Sequence, residues 1–292
     1  YHWDLPQALQ DKGGWANREV VNWFAEYVDL VTKKYGDKVK NWMVLNEPMA
    51  FVALGYLIKM HAPGIRSFRN LLPATHHATL CQAEGGRIIR ANVSGANVGT
   101  TFSCSPIDPF TPGDQAAANR VDALLNRLFL EPTLGLGYPT KELPFLSGIA
   151  KKVAKPGDME RLAFKFDFIG VQNYSRVIGR FSLWPPVVWA NQVKPTKIAG
   201  AEITEMGWEV YPEGIYKVLK QFAAYEGVDK IIVTENGCAF PDVVEGESVH
   251  DKQRISFFKN YLENVLKAKH EGMNVQGYFA WTLMDNFEWA EG

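Results

Sequence analysis

The sequence predicts an α/β protein folded as a (β/α)8 TIM barrel, and three observations support this fold. Short apolar segments with strand character alternate along the chain with segments of helical periodicity, a pattern that favours parallel strands joined by right-handed crossovers. Polar side chains stand at or just after the carboxyl ends of five different strands, which favours a barrel over a sheet with a single crevice. The length of 292 residues and the 47% hydrophobic content allow one large core.

Each element follows from its local pattern. Apolar residues recur at helical spacing between Asn17 and Tyr35, and Gly36 is placed to end that helix. Further helices are expected within residues 73–91, 114–130, 212–227 and 251–271. Strands are expected at the first three residues and at 41–45, 96–103, 166–172, 229–234 and 275–284. The chain therefore contains about six of the eight βα units of a barrel.

Two stretches lack a regular pattern, namely residues 133–157 and 176–202. Both are expected to be long loops that could wall a cleft above the strand ends. The chain shows no internal repeat, no low-complexity tract and no linker. We therefore expect residues 1–292 to form a single catalytic barrel domain.

Composition excludes several functional classes. With 31 basic and 32 acidic residues, the chain lacks the charge expected of a nucleic-acid-binding protein. It has no run of roughly 18 apolar residues that would indicate a membrane span. The three cysteines show no CxxC spacing and His76 and His77 are adjacent, so neither a disulfide framework nor a metal site is predicted. Free thiols favour a cytoplasmic protein, and the oligomeric state is left open.

Two carboxylates stand out because each follows a buried strand. Glu47 ends the segment VLNEP, and Glu235 lies in IIVTENG. Poor solvation there costs free energy, so each residue is either a structural ion-pair partner or a working acid. Two such carboxylates with His, Asn, Gln, Tyr and Trp nearby are what glycoside hydrolysis requires, since one protonates the leaving oxygen while the other attacks or supports the anomeric carbon.

Five motifs together resemble the family 1 β-glycosidases, in order and in approximate spacing, from the first residue to the last. They are YHWDLPQAL (1–9), LNEP (45–48), DFIGVQNY (167–174), TENG (234–237) and DNFEWAEG (285–292). The resemblance implies that Glu47 is the general acid and base and that Glu235 is the nucleophile of a retaining double displacement.

The resemblance also implies a set of substrate-binding residues. Asn46 would bind the sugar 2-hydroxyl, Tyr174 would hold and tune the nucleophile, and Trp281 would lie under the sugar ring. His2, beside Trp3, would bind a glycone hydroxyl, and Glu288 with Trp289 would contact the distal hydroxyls. The residues carried over are thus His2, Trp3, Asn46, Gln172, Tyr174, Trp281, Glu288 and Trp289.

Two residues narrow the expected substrate. Glu288 would repel a phosphate, which disfavours the alternative of a 6-phospho-β-glycosidase. The presence of Glu47 favours O-glycosides, whose leaving oxygen needs a proton. We expect a β-glucosidase, with galactosyl or fucosyl residues as further candidates, that acts on small β-glycosides or oligosaccharides such as those from cellulose and needs no cofactor. A sugar-binding fragment without activity is the alternative outside enzymes.

The chain also departs from the family. Gln172-Asn173-Tyr174 stands where Asn-Tyr-Tyr is common. Gln172 must therefore offer its amide from a longer side chain, and Asn173 replaces an aromatic ring. The family barrel would have two strands before Tyr1 and a closing segment after Gly292. We therefore expect the isolated chain to fold poorly or to be inactive unless those parts are supplied, because two parallel edges would be exposed.

Overall fold

The structure is a computed structural model that describes residues 1–291. Gly292, the last residue of the DNFEWAEG motif and of the predicted domain, lies outside the described residues. The chain divides into two compact units. The first comprises Tyr1–Ser103, Asn126–Gly170 and the residues from Phe287 onward, and the second comprises Cys104–Leu125 and Val171–Asn286. The single-domain organisation stays a prediction, and each unit is described by itself.

Helices and strands are numbered separately in chain order. The helices are α1 (Gln7–Gln10), α2 (Val20–Tyr35), α3 (Phe68–Asn92), α4 (Gln115–Asp122), α5 (Leu130–Thr133), α6 (Ser147–Lys152), α7 (Asp158–Arg161), α8 (Glu213–Ala223) and α9 (Lys252–His270). The strands are β1 (Asn41–Asn46), β2 (Asn97–Ser103), β3 (Ile107–Pro109), β4 (Phe168–Gln172), β5 (Val177–Phe181), β6 (Ala190–Gln192), β7 (Ile231–Asn236), β8 (Val244–Glu245), β9 (Ser248–Val249) and β10 (Val275–Ala280).

Five of the predicted strands are present as β1, β2, β4, β7 and β10. Within the first unit β1 pairs with β2 in parallel, and within the second unit β7 pairs with β10 in parallel. A helix precedes each partner, since α3 leads into β2 and α9 leads into β10. Parallel strands linked by helices are the repeating unit of a (β/α)8 barrel.

Three local expectations are wrong. The first three residues form no strand. The N–H of Asn46 donates to the carbonyl of Tyr1, but a single hydrogen bond does not make a β-ladder. Helix α3 begins at Phe68, so Pro73 lies inside the helix and not at its start. Residues 176–202 are not an irregular loop, because β5 and β6 pair there as an antiparallel hairpin and β5 also pairs with β3.

In the first unit, the core forms where helix α3 packs on β1 and β2 and helix α2 packs on α3. Leu45 and Val98 are fully buried, and burying one such side chain is worth about 1.5–3 kcal/mol. Gly99 must lack a side chain, since a Cβ there would lie 2.4 Å from the ring of Phe168. The aromatic ring at the start of β4 thus packs directly on the backbone of β2.

A buried ion pair also joins distant segments of the first unit. Arg18 binds both carboxylate oxygens of Asp158 at 2.6 and 2.7 Å, and Nε2 of His76 lies 3.1 Å from the same carboxylate. Burial alone would raise the pKa of Asp158, but hydrogen bonds from Arg18, the Lys155 N–H and His76 lower it well below its usual range. His77 points elsewhere, with Nδ1 2.9 Å from the Trp15 carbonyl, so the adjacent histidines have separate partners.

Helices make two main packing contacts in the second unit. Helix α4 packs on the β3-β5-β6 sheet through a cluster of small and branched residues, and α8 packs against α9. The buried members of that cluster are Ala117, Val121, Val177, Val188 and Ala190. The ends of β4, β7 and β10 carry the polar groups described below.

Candidate active site

Glu47 is held at the end of β1 in an unusual backbone conformation. Its φ is 47°, in the left-handed region that costs a non-glycine residue roughly 1–2 kcal/mol. The N–H of Glu47 donates to the Thr101 carbonyl at 3.1 Å, and helical turns begin at Pro48, a residue suited to the first helical position. The strand therefore turns sharply into helix at the carboxylate, whose side chain is only 14% exposed.

His2 lies beside Glu47 and has a defined tautomer. Its Nδ1 lies 3.0 Å from the Asn46 carbonyl and its Nε2 lies 2.6 Å from the indole nitrogen of Trp3. Because a carbonyl only accepts and an indole N–H only donates, the proton is on Nδ1. Burial lowers the pKa of His2 to about 4, so the ring is neutral near pH 7. Its Nε2 lies 3.6 Å from Oε2 of Glu47, a contact between a neutral ring and the carboxyl group.

Aromatic rings gather around this histidine in the first unit. The Trp289 ring lies 5.5 Å from the ring of His2 and 5.2 Å from that of Trp3. Trp3 also packs on His61 at 4.2 Å. Burial lowers the pKa of His61, while the charges of Glu291 and Glu288 act to raise it, which places Glu288 near the same cluster. The first unit thus groups six of the predicted residues, namely His2, Trp3, Asn46, Glu47, Glu288 and Trp289.

Glu235 lies near the end of β7 in the second unit, with a hydrogen bond to each carboxylate oxygen. The side-chain amide of Gln172 donates to Oε1 at 2.5 Å, and the Tyr174 hydroxyl donates to Oε2 at 2.6 Å. Gln172 is the last residue of β4 and Tyr174 lies in the bend that follows it, so the end of this strand brings both donors to the carboxylate. Both donors are neutral, which orients the carboxylate while leaving its charge in place.

Trp281 follows the end of β10 with its side chain 42% exposed. Its N–H donates to the carbonyl of Asn236 at 2.9 Å. A Cβ on Gly237 would lie 1.9 Å from the Trp281 carbonyl oxygen, so only glycine fits after Glu235-Asn236. The Gly of TENG thus permits the close approach of the two strand ends. The second unit groups the remaining predicted residues, Gln172, Tyr174, Glu235 and Trp281.

One aromatic neighbour of this group was not among the predicted site residues. The Trp208 ring lies 5.2 Å from the ring of Tyr174. The next residue, Glu209, is buried and receives two hydrogen bonds from Arg176 at 2.7 and 2.8 Å. The sequence contains a Trp-Glu pair at positions 208 and 209 and an arginine two residues after Tyr174. Because these segments lie more than thirty positions apart, no local periodicity indicates that they interact.

Two further findings concern the described part of the chain. Within residues 1–291, no group of three or more His, Cys, Asp or Glu side chains could hold a metal ion. No helix in that range is long and apolar enough to cross a membrane.

The fold and the strand-end groups define a parallel α/β barrel protein with oriented carboxylates, amides and aromatic rings. The sequence model described as "Glycosyl hydrolase family 1" matches residues 1–292, so the chain belongs to that family. The resemblance drawn from the five motifs is confirmed, and so is the (β/α)8 barrel, which this family shares.

Individual relatives show the same likeness. The chain is 39% identical to "Beta-glucosidase A" of Thermotoga maritima over all of this chain and 65% of that protein. It is 36% identical to the "Bifunctional beta-D-glucosidase/beta-D-fucosidase" of Bifidobacterium breve, covering 100% of this chain and 67% of that one. The solved beta-glucosidase from Thermotoga maritima in complex with deoxynojirimycin matches with a TM-score of 0.91 at 38% identity, covering 100% and 65%. The chain thus spans about 65% of the length of the first of these relatives.

Proposed function

We propose that this chain carries the catalytic groups of a retaining β-glycosidase that removes terminal β-D-glucosyl residues from O-glycosides. The observation that carries the proposal is the pair of neutral donors on Glu235. A nucleophile must be aimed at the anomeric carbon, and the bonds from Gln172 and Tyr174 at 2.5 and 2.6 Å fix the direction of the Glu235 carboxylate. The structural carboxylates Asp158 and Glu209 are instead bound by the charged guanidinium groups of Arg18 and Arg176.

The backbone at Glu47 supports a catalytic role for the second carboxylate. Strained residues persist where the surroundings fix them, and they concentrate at functional sites. A left-handed glutamate between a strand and a helix fits that pattern. The neutral ring of His2 adds no positive charge that would favour ionisation of Glu47, which suits a group that has to donate a proton.

The mechanism we infer has two steps. In the first, a carboxylate oxygen of Glu235 forms a bond to the anomeric carbon as the glycosidic C–O bond breaks, and the proton of Glu47 goes to the leaving oxygen. In the second, water attacks the anomeric carbon, its proton passes to Glu47, and Glu235 is released. Two displacements at one carbon retain its configuration. Glu47 directly follows β1 and Glu235 lies near the end of β7, and active sites of (β/α)8 barrels are built at the carboxyl ends of the strands.

Glucose is the glycone that the relatives support. The similar proteins are named as a beta-glucosidase and as a bifunctional beta-D-glucosidase and beta-D-fucosidase, so fucosyl residues are a second substrate of the proposed site. The Trp289 ring and Glu288 lie with His2, Trp3 and His61 in the first unit. We propose that this cluster holds the distal hydroxyls of an unphosphorylated sugar.

The test compares p-nitrophenyl β-glucoside, β-fucoside, β-galactoside and 6-phospho-β-glucoside. The chain is assayed alone and joined to the flanking segments of the Thermotoga maritima relative that it does not match. We expect turnover of the glucoside with the β-anomer of glucose as first product, detected by NMR. The variant Glu235→Gln should abolish turnover of every substrate while sugar binding persists.

A second variant separates the two carboxylates. Glu47→Gln should slow release of poor leaving groups strongly and of dinitrophenol weakly, because a good leaving group departs without a proton. An α-anomer as first product, or preference for the phosphorylated sugar, would contradict the proposal. Binding of glucose without turnover in either form of the protein would favour a sugar-binding role.

A further inference from the structure

Three polar residues are linked by hydrogen bonds beside the Glu235 contacts in the second unit, one of which runs through the main-chain carbonyl of Asn173. Asn236 directly follows Glu235. Its Nδ2 donates to the carbonyl of Asn173 at 2.6 Å, and its Oδ1 accepts from the Tyr278 hydroxyl at 2.5 Å. Asn173 and Asn236 are completely buried. The row, which we name the amide row, consists of Asn173, Asn236 and Tyr278 and connects the ends of β4, β7 and β10.

The direction of Asn173 explains how the row acts on the site. Gln172 and Tyr174 both donate to Glu235, whereas the side chain of Asn173 between them is directed to the main chain. There its Nδ2 donates to the carbonyls of Cys104 and Ser175 at 2.9 and 3.1 Å. The segment that carries both donors to Glu235 is thereby fixed from behind by an anchor that never meets the carboxylate.

Main-chain hydrogen bonds at Asn173 and Asn236 also hold the backbone of Glu235. The N–H of Asn173 donates to the Glu235 carbonyl at 3.2 Å, and the N–H of Trp281 donates to the Asn236 carbonyl at 2.9 Å. Burial raises the pKa of Tyr278, so its hydroxyl stays protonated and remains a donor to Asn236. The carboxylate and its two donors are therefore held on backbone that the amide row secures on both sides.

We propose that Asn173, Asn236 and Tyr278 are positioning residues that aim Glu235 at the anomeric carbon. The role rests on the proposed function of Glu235 as nucleophile. Buried amides are worth keeping only where their donors find partners, and here the partners are main-chain carbonyls at the strand ends. A misplacement of about 1 Å in a reacting group can cost about 100-fold in rate. The row supplies the rigidity that such a requirement demands.

Tyr278→Phe tests the role, because it removes one hydroxyl and keeps the ring. The readout is labelling by 2,4-dinitrophenyl 2-deoxy-2-fluoro-β-glucoside, in which a Glu235 oxygen bonds to the anomeric carbon and dinitrophenolate leaves with the bonding electrons. The labelled fraction at completion counts folded sites, and the rate constant reports attack by the nucleophile. We expect the rate constant to fall about 10- to 100-fold with an unchanged final fraction.

Two further variants keep the inference falsifiable. Asn173→Leu has similar volume but no donors, and it should slow labelling in the same way. Tyr138→Phe removes a buried hydroxyl that lies 3.1 Å from Nδ1 of His76 in the first unit, so it should lower stability without changing the rate constant.

Each outcome decides the question. If Tyr278→Phe and Asn173→Leu lower only the final labelled fraction or the unfolding midpoint, the row is merely structural and the inference is overturned. Wild-type rate constants in both variants would overturn it as well. All variants are made in the chain joined to the flanking segments of the relative. If that wild-type protein folds but is not labelled at Glu235, the proposed nucleophile is wrong and the positioning role falls with it.

Discussion

The hydroxyl of Tyr174 donates a hydrogen bond of 2.6 Å to Oε2 of Glu235. This bond joins the segment after β4 to β7 at the carboxylate that we propose as nucleophile. It fixes the direction of one oxygen, while Gln172 fixes the other. The geometry therefore ties the rate of attack to two neutral side chains that have no chemical step of their own.

Tyr174→Phe should lower kcat/KM for an aryl β-glucoside by about 10- to 100-fold. The reason is that a hydrogen bond to a charged group is worth about 1.5–3 kcal/mol. Steady-state kinetics on purified protein measure the effect. Tyr216→Phe is the control, since its hydroxyl donates at 2.6 Å to an exposed Glu271 and its loss should leave the kinetics unchanged. Equal activity of Tyr174→Phe and wild type would refute the role of this bond.

Gln172→Asn should lower kcat by about tenfold, although asparagine is the common family residue at this position. The shorter side chain withdraws its amide by about one bond length, roughly 1.5 Å, from a contact that now measures 2.5 Å. Gln221→Asn makes the same change in α8, where the amide binds Asp122 at 2.8 Å, and should not affect kcat. A fully active Gln172→Asn protein would show that the longer arm is not needed.

Gly237→Ala should destabilise the protein by about 1–3 kcal/mol and displace the Trp281 ring. The added Cβ would lie 1.9 Å from a backbone oxygen that cannot rotate away. Chemical denaturation measures the loss, and the KM for glucoside should rise with it. Gly113→Ala is the matched control, because the nearest atom to a Cβ there is a threonine hydroxyl at 3.7 Å. Equal stability of both variants would mean that the strand ends separate easily.

The free energy of unfolding should fall as the pH is lowered from about 6.5 to about 4. Burial lowers the pKa of His77 to about 4 from 6.5, and the pKa of His2 shifts in the same direction to about 4. In this window the unfolded chain binds more protons than the folded one, so acid favours unfolding. Above pH 6.5 the contribution of these two residues to stability is fully present.

His77→Gln tests that window by denaturation at a series of pH values. It should flatten the pH dependence between 4 and 6.5 in part, because His2 still contributes. His270→Gln, at the exposed end of α9, should keep the wild-type slope. An unchanged slope in His77→Gln would show that this histidine binds protons equally in the folded and unfolded chain.

The sequence predicted the elements whose pattern is local. The apolar spacing of α2 and the short apolar runs of β1 and β7 found those elements to within about three residues. The predicted start of α3 at Pro73 was wrong. Proline favours the first turn of a helix, whereas α3 starts five residues earlier. The hairpin of β5 and β6 was missed because its partner strand β3 lies about seventy positions away, and no local period records such pairing.

The chemistry was predicted in a similar way. Glu47 and Glu235 were visible because a charged residue directly after an apolar strand is exceptional. Asn173, Asn236 and Tyr278 were not identified as site residues, since each looks ordinary in its own segment. Their importance depends on hydrogen bonds between positions 42 to 63 residues apart. Only the folded strands bring those groups together.

The left-handed backbone of Glu47 has a consequence for how this chain can change over time. Glycine accepts that φ without penalty, so Glu47→Gly would relieve strain of roughly 1–2 kcal/mol while removing the proposed proton donor. Selection for stability would thus favour glycine at position 47, whereas selection for the proposed activity would favour glutamate. We therefore expect that glycine at position 47 would raise the stability of the chain and remove the proposed activity.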